Sequence, residues 1–322
     1  MKAIVYYEYG TPDRLELREV EKPVPKDDEV LIKVHASSVN SWDWDLLRGK
    51  PFLARLGGLL KPQYNILGAD VSGVVESGGK NVKELKPGDA VFGDISRCGW
   101  GGFGEYVCAR EDMLSLKPEN MSFEEAAAMS QAAVLALQGL VWKSPIQSGQ
   151  KVLINGAGGG VGTFAIQLAK SYGAEVTGVD SAGKQDIMLS LGADYVIDYE
   201  KEDFTQNGQQ YDRVLDVMAF HPISDYRRSL KPEGIYVMVG GATNRIFQLL
   251  IQAPWISITS NKKMGILLHK PNNLDLDILK AFFTNGKVKS VIDSYYSLDE
   301  VPEALRYFGE GNVKGKIVIR VG

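Results

Sequence analysis

The stretch Lys151-Val-Leu-Ile-Asn-Gly-Ala-Gly-Gly-Gly-Val-Gly162, followed by a helical run from Thr163 to Tyr172 and by Glu175-Val-Thr-Gly-Val-Asp180, constrains the fold more than any other part of the chain. Val152, Leu153 and Ile154 form the unbroken apolar run of a strand covered on both faces. Gly156, Gly158, Gly159, Gly160 and Gly162 remove Cβ atoms where the chain turns sharply, and Val161, Ala165, Ile166 and Ala169 then recur at helical spacing. A helix that starts on such a turn presents free backbone N–H groups and the positive end of its dipole, the geometry that holds a phosphate. Asp180 closes the second strand at the distance where an acidic side chain accepts hydrogen bonds from an adenosine ribose. The strict Gly-x-Gly-x-x-Gly pattern is not met, because Ala157 replaces its first glycine. Glycines alone would serve equally well for a tight strand-to-helix connection. Strand, turn, helix, second strand and terminal acid in that order make the dinucleotide reading specific. The expected phosphate cradle is Gly158, Gly159, Gly160, Val161 and Gly162.

At 322 residues, with 44% hydrophobic and 24% charged residues, the chain has the length and composition for two globular domains with cores of their own. Its 36 lysines and arginines against 40 aspartates and glutamates give a net charge of −4 with no basic block, so neither a nucleic-acid partner nor a membrane surface is expected. No apolar run reaches the ~18 residues of a membrane span, and Met1-Lys-Ala-Ile-Val-Tyr-Tyr reads as strand where a signal core would stand. Cys98 and Cys108 are too few for a disulfide framework and lack metal-ligand spacing. A cytoplasmic, reduced setting is expected.

Residues 1–122 read as β-rich, with short strands at Ala3–Tyr7, Glu29–His35, Asp70–Glu76 and Ala90–Gly93 separated by Pro, Gly and Asp turns. Helical pattern begins at Phe123 and runs to Met129, and a second helix is expected over about Ala133–Trp142. From Lys151 strands alternate with helices as far as Met264–Leu268, the pattern of a parallel sheet covered on both faces. Gly240 follows the strand Ile235–Val239. Helices near Leu276–Asn285 and Val301–Phe308 lead to a last strand, Lys316–Arg320, which is expected to dock back onto the N-terminal domain.

Several segments together resemble the medium-chain dehydrogenase/reductases, and in particular their zinc-free quinone oxidoreductase branch. They are Leu67-Gly-Ala-Asp-Val-Ser-Gly-Val-Val75, Lys86-Pro-Gly-Asp-Ala-Val-Phe92, Gly158-Gly-Gly-Val-Gly162 with Gln167-Leu-Ala-Lys170, Leu191-Gly-Ala-Asp194 and Gly315-Lys-Ile-Val318. The resemblance spans essentially the whole chain. It implies an α/β fold in which a doubly wound parallel Rossmann sheet, residues 123–270, is inserted in a GroES-like β domain formed by both termini, residues 1–122 and 271–322. It also implies an active site in the cleft between the domains and a homodimer through an edge strand of the nucleotide sheet.

Zinc enzymes of that superfamily carry a cysteine after the second strand, a histidine in a Gly-His-Glu run and a four-cysteine lobe. Here the first position falls in Val39-Asn40-Ser41-Trp42-Asp43 and the second is Gly68-Ala69-Asp70, and neither two cysteines nor His35, His221 and His269 fill such sites. The expected enzyme is therefore zinc-independent. Without a Lewis acid the fitting acceptors are electron-poor, a quinone or an α,β-unsaturated carbonyl compound that takes hydride from a reduced nicotinamide. The resemblance assigns Asn40 to the acceptor oxygen or a water, Asp43 to orient its neighbours, and Arg48 to an anion or phosphate. It assigns Gln131 to the nicotinamide carboxamide, where the family more often has threonine. Two alternatives stand beside this reading: an enoyl-thioester reductase, hinted at by Lys50, Arg55 and Lys61, and a non-catalytic NADPH-binding sensor or scaffold.

The choice of cofactor pulls in two directions. Asp180 would bond the ribose hydroxyls of NADH and repel a 2′-phosphate. Ser181, Lys184 and Tyr199 stand where the quinone oxidoreductase branch holds that phosphate, with Lys316 able to add charge from the C-terminus. NADPH is the expected cofactor, with NADH open as the alternative.

Overall fold

The computed structural model describes residues 1–56 and 58–322, with Leu53 by its backbone alone. The chain folds as two compact units, one of Met1–Val134 with Pro271–Gly322 and one of Leu135–Lys270.

The first unit contains strands β1 (Lys2–Val5), β2 (Glu16–Glu19), β3 (Glu29–Ser38), β4 (Asp70–Gly78), β5 (Ala90–Asp94), β6 (Tyr106–Arg110) and β7 (Leu114–Leu116), with helix α1 (Ser41–Arg48) between β3 and β4. Helix α2 (Phe123–Leu140) follows, and the boundary between the units falls within it. Ser130 and Gln131 divide the apolar pattern of this segment, and two helices were expected. One helix forms because the Ser130 hydroxyl donates to the Ala126 carbonyl one turn back, at 3.0 Å, so the polar pair needs no break in the helix.

The second unit holds strands β8 (Lys151–Asn155), β9 (Glu175–Asp180), β10 (Tyr195–Asp198), β11 (Tyr211–Asp216), β12 (Leu230–Met238) and β13 (Lys263–Ile266). Among the described residues they make one six-stranded sheet in the order β10-β9-β8-β11-β12-β13, every pair parallel. The order reverses between β8 and β11, which makes the carboxyl ends of those two strands the switch point where open parallel sheets bind ligands. Helices α3 (Gly160–Ser171), α4 (Gln185–Ser190), α5 (Ile223–Arg228) and α6 (Thr243–Thr259) connect the strands. Val152, Leu153 and Ile154 are wholly buried, as their unbroken hydrophobicity requires.

In the sequence Gly241–Lys262 reads as a loop, and the structure forms helix α6 there although Pro254 lies within it. Ile246, Leu249, Ala253 and Ile256, at spacings of three and four, pack against the sheet's core and hold the helix despite the proline.

The chain then returns to the first unit through α7 (Asn273–Thr284), β14 (Ile292–Ser297), α8 (Val301–Gly309) and β15 (Lys316–Arg320). β15 pairs antiparallel with β3, and β3 with β4, so the last strand docks on the N-terminal part as expected. β3 thus lies between a strand from each end of the sequence.

Candidate functional site

In the second unit, β8 ends at Asn155 and the backbone turns through Gly156 at φ 82°, a conformation that favours glycine. The N–H groups of Gly156 and Ala157 both donate to the Val179 carbonyl, at 2.9 and 3.1 Å, which ties the turn to β9. Gly159 caps α3 with extended backbone and offers no side chain to the N–H groups of the first turn. A Cβ built on Gly159 would meet only the Gly156 oxygen, at 3.6 Å, so the face of the turn is open. A Cβ on Gly162 would instead lie 2.2 Å from the Gly156 oxygen and 2.4 Å from the Ala157 Cα. Gly162 therefore serves helix packing. Gly160 and Val161 form the first turn of α3 at intermediate burial. Bare N–H groups at the end of a twelve-residue helix, beside an open glycine turn, fit a pyrophosphate.

Asp180 is nearly buried and already engaged: its carboxylate accepts the N–H groups of Gly158 and Ser181, each at 2.9 Å, and lies 3.4 Å from the Lys184 ammonium. The stem of Lys184 crosses Gly158, where a Cβ would meet the lysine Cβ at 2.6 Å. Tyr199, more than half exposed, donates its N–H to the Asp180 carbonyl at 3.3 Å. Asp180, Ser181, Lys184 and Tyr199 thus converge at the end of β9, and the two charges that pulled the cofactor assignment apart are paired with each other.

The switch point carries a cluster that sequence reasoning missed. Asp216, fully buried at the end of β11, accepts hydrogen bonds from Asn155 Nδ2 and the Tyr236 hydroxyl, both at 2.8 Å, and from the Met218 N–H at 3.2 Å. Burial pushes its carboxyl up to about 6 despite these donors. Asn155 also donates to the Met218 carbonyl at 2.9 Å, so the cluster fixes the loop after β11. Gly240 lies against that loop, where a Cβ would come 2.9 Å from the Val217 oxygen. The only signal in the sequence was the matched position of Asn155 and Asp216 at the ends of two apolar strands.

In the first unit, Asn40 caps α1 and donates its backbone N–H to Asp43 Oδ2 at 2.8 Å, the returning half of a capping box. Asp43 Oδ1 accepts the Gly68 N–H at 2.8 Å, so one buried carboxylate joins the start of α1 to the loop before β4. Burial pushes Asp43 up to about 7, against the two N–H donors that lower it.

Asp70, absent from the expected site, is the hub of this unit. Its Oδ2 accepts Asn40 Nδ2 at 2.8 Å, Lys316 Nζ at 3.2 Å and the Ser38 hydroxyl, and its Oδ1 accepts the Gln131 N–H at 2.9 Å. Burial raises its pKa, and the Lys316 charge opposes that shift. Gln131 also donates Nε2 to Asp94 at 3.0 Å. Both amide atoms of Asn40 are engaged, since Oδ1 accepts from Lys316.

The expected role of Lys316 toward a 2′-phosphate is corrected by this geometry. The side chain is 3% exposed, and its ammonium donates to Asn40, Asp70 and the Val39 carbonyl, which uses all three hydrogens. Arg48 is not brought to Asn40 and Asp43. It pairs with Asp45 at 3.2 Å and stacks over Trp44, its guanidinium 4.5 Å from the ring centroid. Of the aromatic residues near α1, Trp42 and Phe52 are exposed, whereas Trp44 packs into the core of the unit. Among the described residues no group of three or more His, Cys, Asp or Glu is placed to hold a metal ion, and no helix is long and apolar enough to cross a membrane.

Comparison with known proteins agrees with this architecture. Residues 26–119 match the alcohol dehydrogenase GroES-like domain family and residues 191–319 the zinc-binding dehydrogenase family. A 2-methylene-furan-3-one reductase of Solanum lycopersicum is 36% identical over 99% of this chain and 79% of its own length. The chloroplastic NADPH-dependent alkenal/one oxidoreductase of Arabidopsis thaliana is 34% identical over the same shares. The solved quinone oxidoreductase of Coxiella burnetii superposes with a TM-score of 0.90 at 31% identity, over 100% of this chain and 99% of that one.

Proposed function

The chain belongs to the medium-chain dehydrogenase/reductases, in the quinone oxidoreductase branch, and on that premise we propose that it reduces a quinone or an α,β-unsaturated carbonyl compound with NADPH and without zinc. The observation that carries the reading is the ammonium of Lys316. It stands against Asn40 and Asp70, in the segments where zinc relatives carry their ligands, and a fixed positive charge there disfavours a divalent cation.

NADPH supplies a hydride from C4 of its nicotinamide, and an electron-poor acceptor needs no Lewis acid to take it. The open turn at Gly159 and the first turn of α3, with Gly160 and Val161, receive the pyrophosphate, while Gly158, covered by the Lys184 stem and donating its N–H to Asp180, holds the turn in shape. Ser181, Lys184 and Tyr199 receive the 2′-phosphate, and Lys184 neutralises the Asp180 carboxylate that would otherwise repel it. Gln131 is assigned to the nicotinamide carboxamide, and Gly240 lies against the loop at the switch point. Asn40 is assigned to the acceptor oxygen or a water, with its amide held in one orientation by Asp70 and Lys316, while Asp43 fixes α1 in place. Arg48, paired with Asp45 at the far end of α1, has no part in this reading.

An anaerobic panel of quinones, enones and enoyl thioesters, each with NADPH and NADH and with a chelator present, tests the reading. Turnover of quinones or enones with NADPH, unaffected by chelation, is expected. Turnover confined to enoyl thioesters, loss of activity on chelation, or no turnover at all would refute it.

We further propose that the protein works in the cytoplasm as a homodimer. Burial raises both free thiols, Cys98 and Cys108, which suits unpaired cysteines in a reducing compartment. β13 is an edge strand, and beside it α6 turns Phe247, Leu250, Ile251, Trp255 and Ile258 outward, each at least half exposed. An open strand edge beside such an apolar stripe supports pairing with a second copy. Trp255→Glu/Ile258→Glu should therefore convert a dimer to a monomer in light scattering, with the fold retained by circular dichroism. An unchanged dimer would place the interface elsewhere.

A further inference from the structure

Lys316 and Asp70 are far apart in sequence but neighbours across the sheet, because β15 and β4 flank β3. β3 ends at Ser38, and the chain then passes through Val39 to Asn40. The Lys316 ammonium reaches that segment at the Val39 carbonyl and Asn40 Oδ1, and it closes on Asp70 at 3.2 Å. The Asp70 carboxylate in turn accepts from both Asn40 and Gln131, at 2.8 and 2.9 Å. One oxygen accepts from the side chain of the residue assigned to the acceptor, and the other from the backbone N–H of the residue assigned to the nicotinamide. None of these four residues is exposed by more than 7%. A buried ion pair of this kind is weak evidence for stability, but it is well suited to fixing one geometry.

We propose that Lys316 and Asp70 are a positioning pair for hydride transfer, locking Asn40 and Gln131 relative to each other and leaving cofactor affinity to other residues. The inference rests on the NADPH-dependent reaction proposed above. Reacting atoms must meet within a narrow range of distance and angle, so loosening the network acts on turnover more than on binding.

The test compares wild type, Lys316→Met, Lys316→Arg and Asp70→Asn/Lys316→Met for kcat, acceptor KM and NADPH affinity by fluorescence titration. Lys316→Met should lower kcat by about 30- to 100-fold, the effect of a misplacement of roughly 1 Å, with NADPH affinity within about twofold of wild type. Lys316→Arg should restore part of kcat. If Lys316→Met fails to fold because it leaves Asp70 unpaired, the double variant decides, since it removes both members of the pair together. Lowered kcat at unchanged NADPH affinity in that protein supports the pair, and wild-type kcat overturns it. A weakened NADPH affinity with kcat intact also overturns it and returns Lys316 to the phosphate. Absence of turnover by the wild type refutes the reaction itself, a result distinct from active wild type with silent Lys316 variants.

Discussion

Gly162→Val should abolish measurable NADPH binding and lower the melting temperature of the protein. The added Cβ would sit 2.2 Å from the Gly156 oxygen and 2.4 to 2.5 Å from the Ala157 Cα and carbonyl carbon, all backbone atoms of the turn between β8 and α3. No flexible side chain is there to yield, so α3 must move off the sheet, and overpacking of this kind costs about 1–3 kcal/mol or more. The N–H groups of the first turn then lose their common direction, and a pyrophosphate held by several of them at once is lost. Gly159→Ala is the matched control. Its Cβ has ordinary room, with the Gly156 oxygen at 3.6 Å, so the fold should be kept while the phosphate face narrows. NADPH titration and thermal melts of both variants separate the two effects. Wild-type affinity in a folded Gly162→Val protein would show that the cofactor's phosphates do not depend on this turn.

Lys184→Ala should weaken NADPH by about 10- to 150-fold, the span of one charge-assisted hydrogen bond, and leave NADH nearly unaffected. The lysine lies 3.4 Å from Asp180, with both side chains about 10% exposed, so its removal takes away a phosphate ligand and uncovers a carboxylate beside it. From the sequence alone, Asp180→Ser would favour NADPH by deleting a like charge. The structure changes that expectation, because Asp180 also accepts the N–H groups of Gly158 and Ser181. Asp180→Ser should release the glycine turn and weaken both cofactors. Competitive fluorescence titration of NADPH and NADH against the three proteins checks both outcomes. Lys184→Ala that is silent toward NADPH would remove the lysine from the phosphate site.

Local periodicity and turn chemistry were sufficient for the nucleotide sheet. β8 was legible because a strand buried on both faces is continuously apolar, the strands after it because they alternate with helical segments, and the glycines between β8 and α3 because a sharp turn excludes Cβ atoms. The last strand was legible for the same reason, and its return to the N-terminal part followed from its having no place in the parallel sheet. Helix α6 was hidden, since its apolar residues serve both the core and an exposed stripe and Pro254 interrupts the pattern. The division of α2 into two helices failed where Ser130 satisfies its hydroxyl inside the helix.

For the site, the residue types available were readable along the chain: no thiolate or imidazole at the zinc positions, a glycine turn before a helix, and an acid and a lysine after β9. Which groups face one another was decided by the tertiary structure alone. Lys316 reads as a charge available to a 2′-phosphate until β15 is laid beside β3, which buries it against Asn40 and Asp70. Asp180 and Lys184 read as rivals for the cofactor until the chain after β9 folds them into an ion pair. Asp216 and Asn155 read as ordinary strand ends until the parallel register sets them side by side at the switch point. Burial and pairing are properties of distance in space, and charges far apart along the chain acquire them only when the sheets bring their strands together.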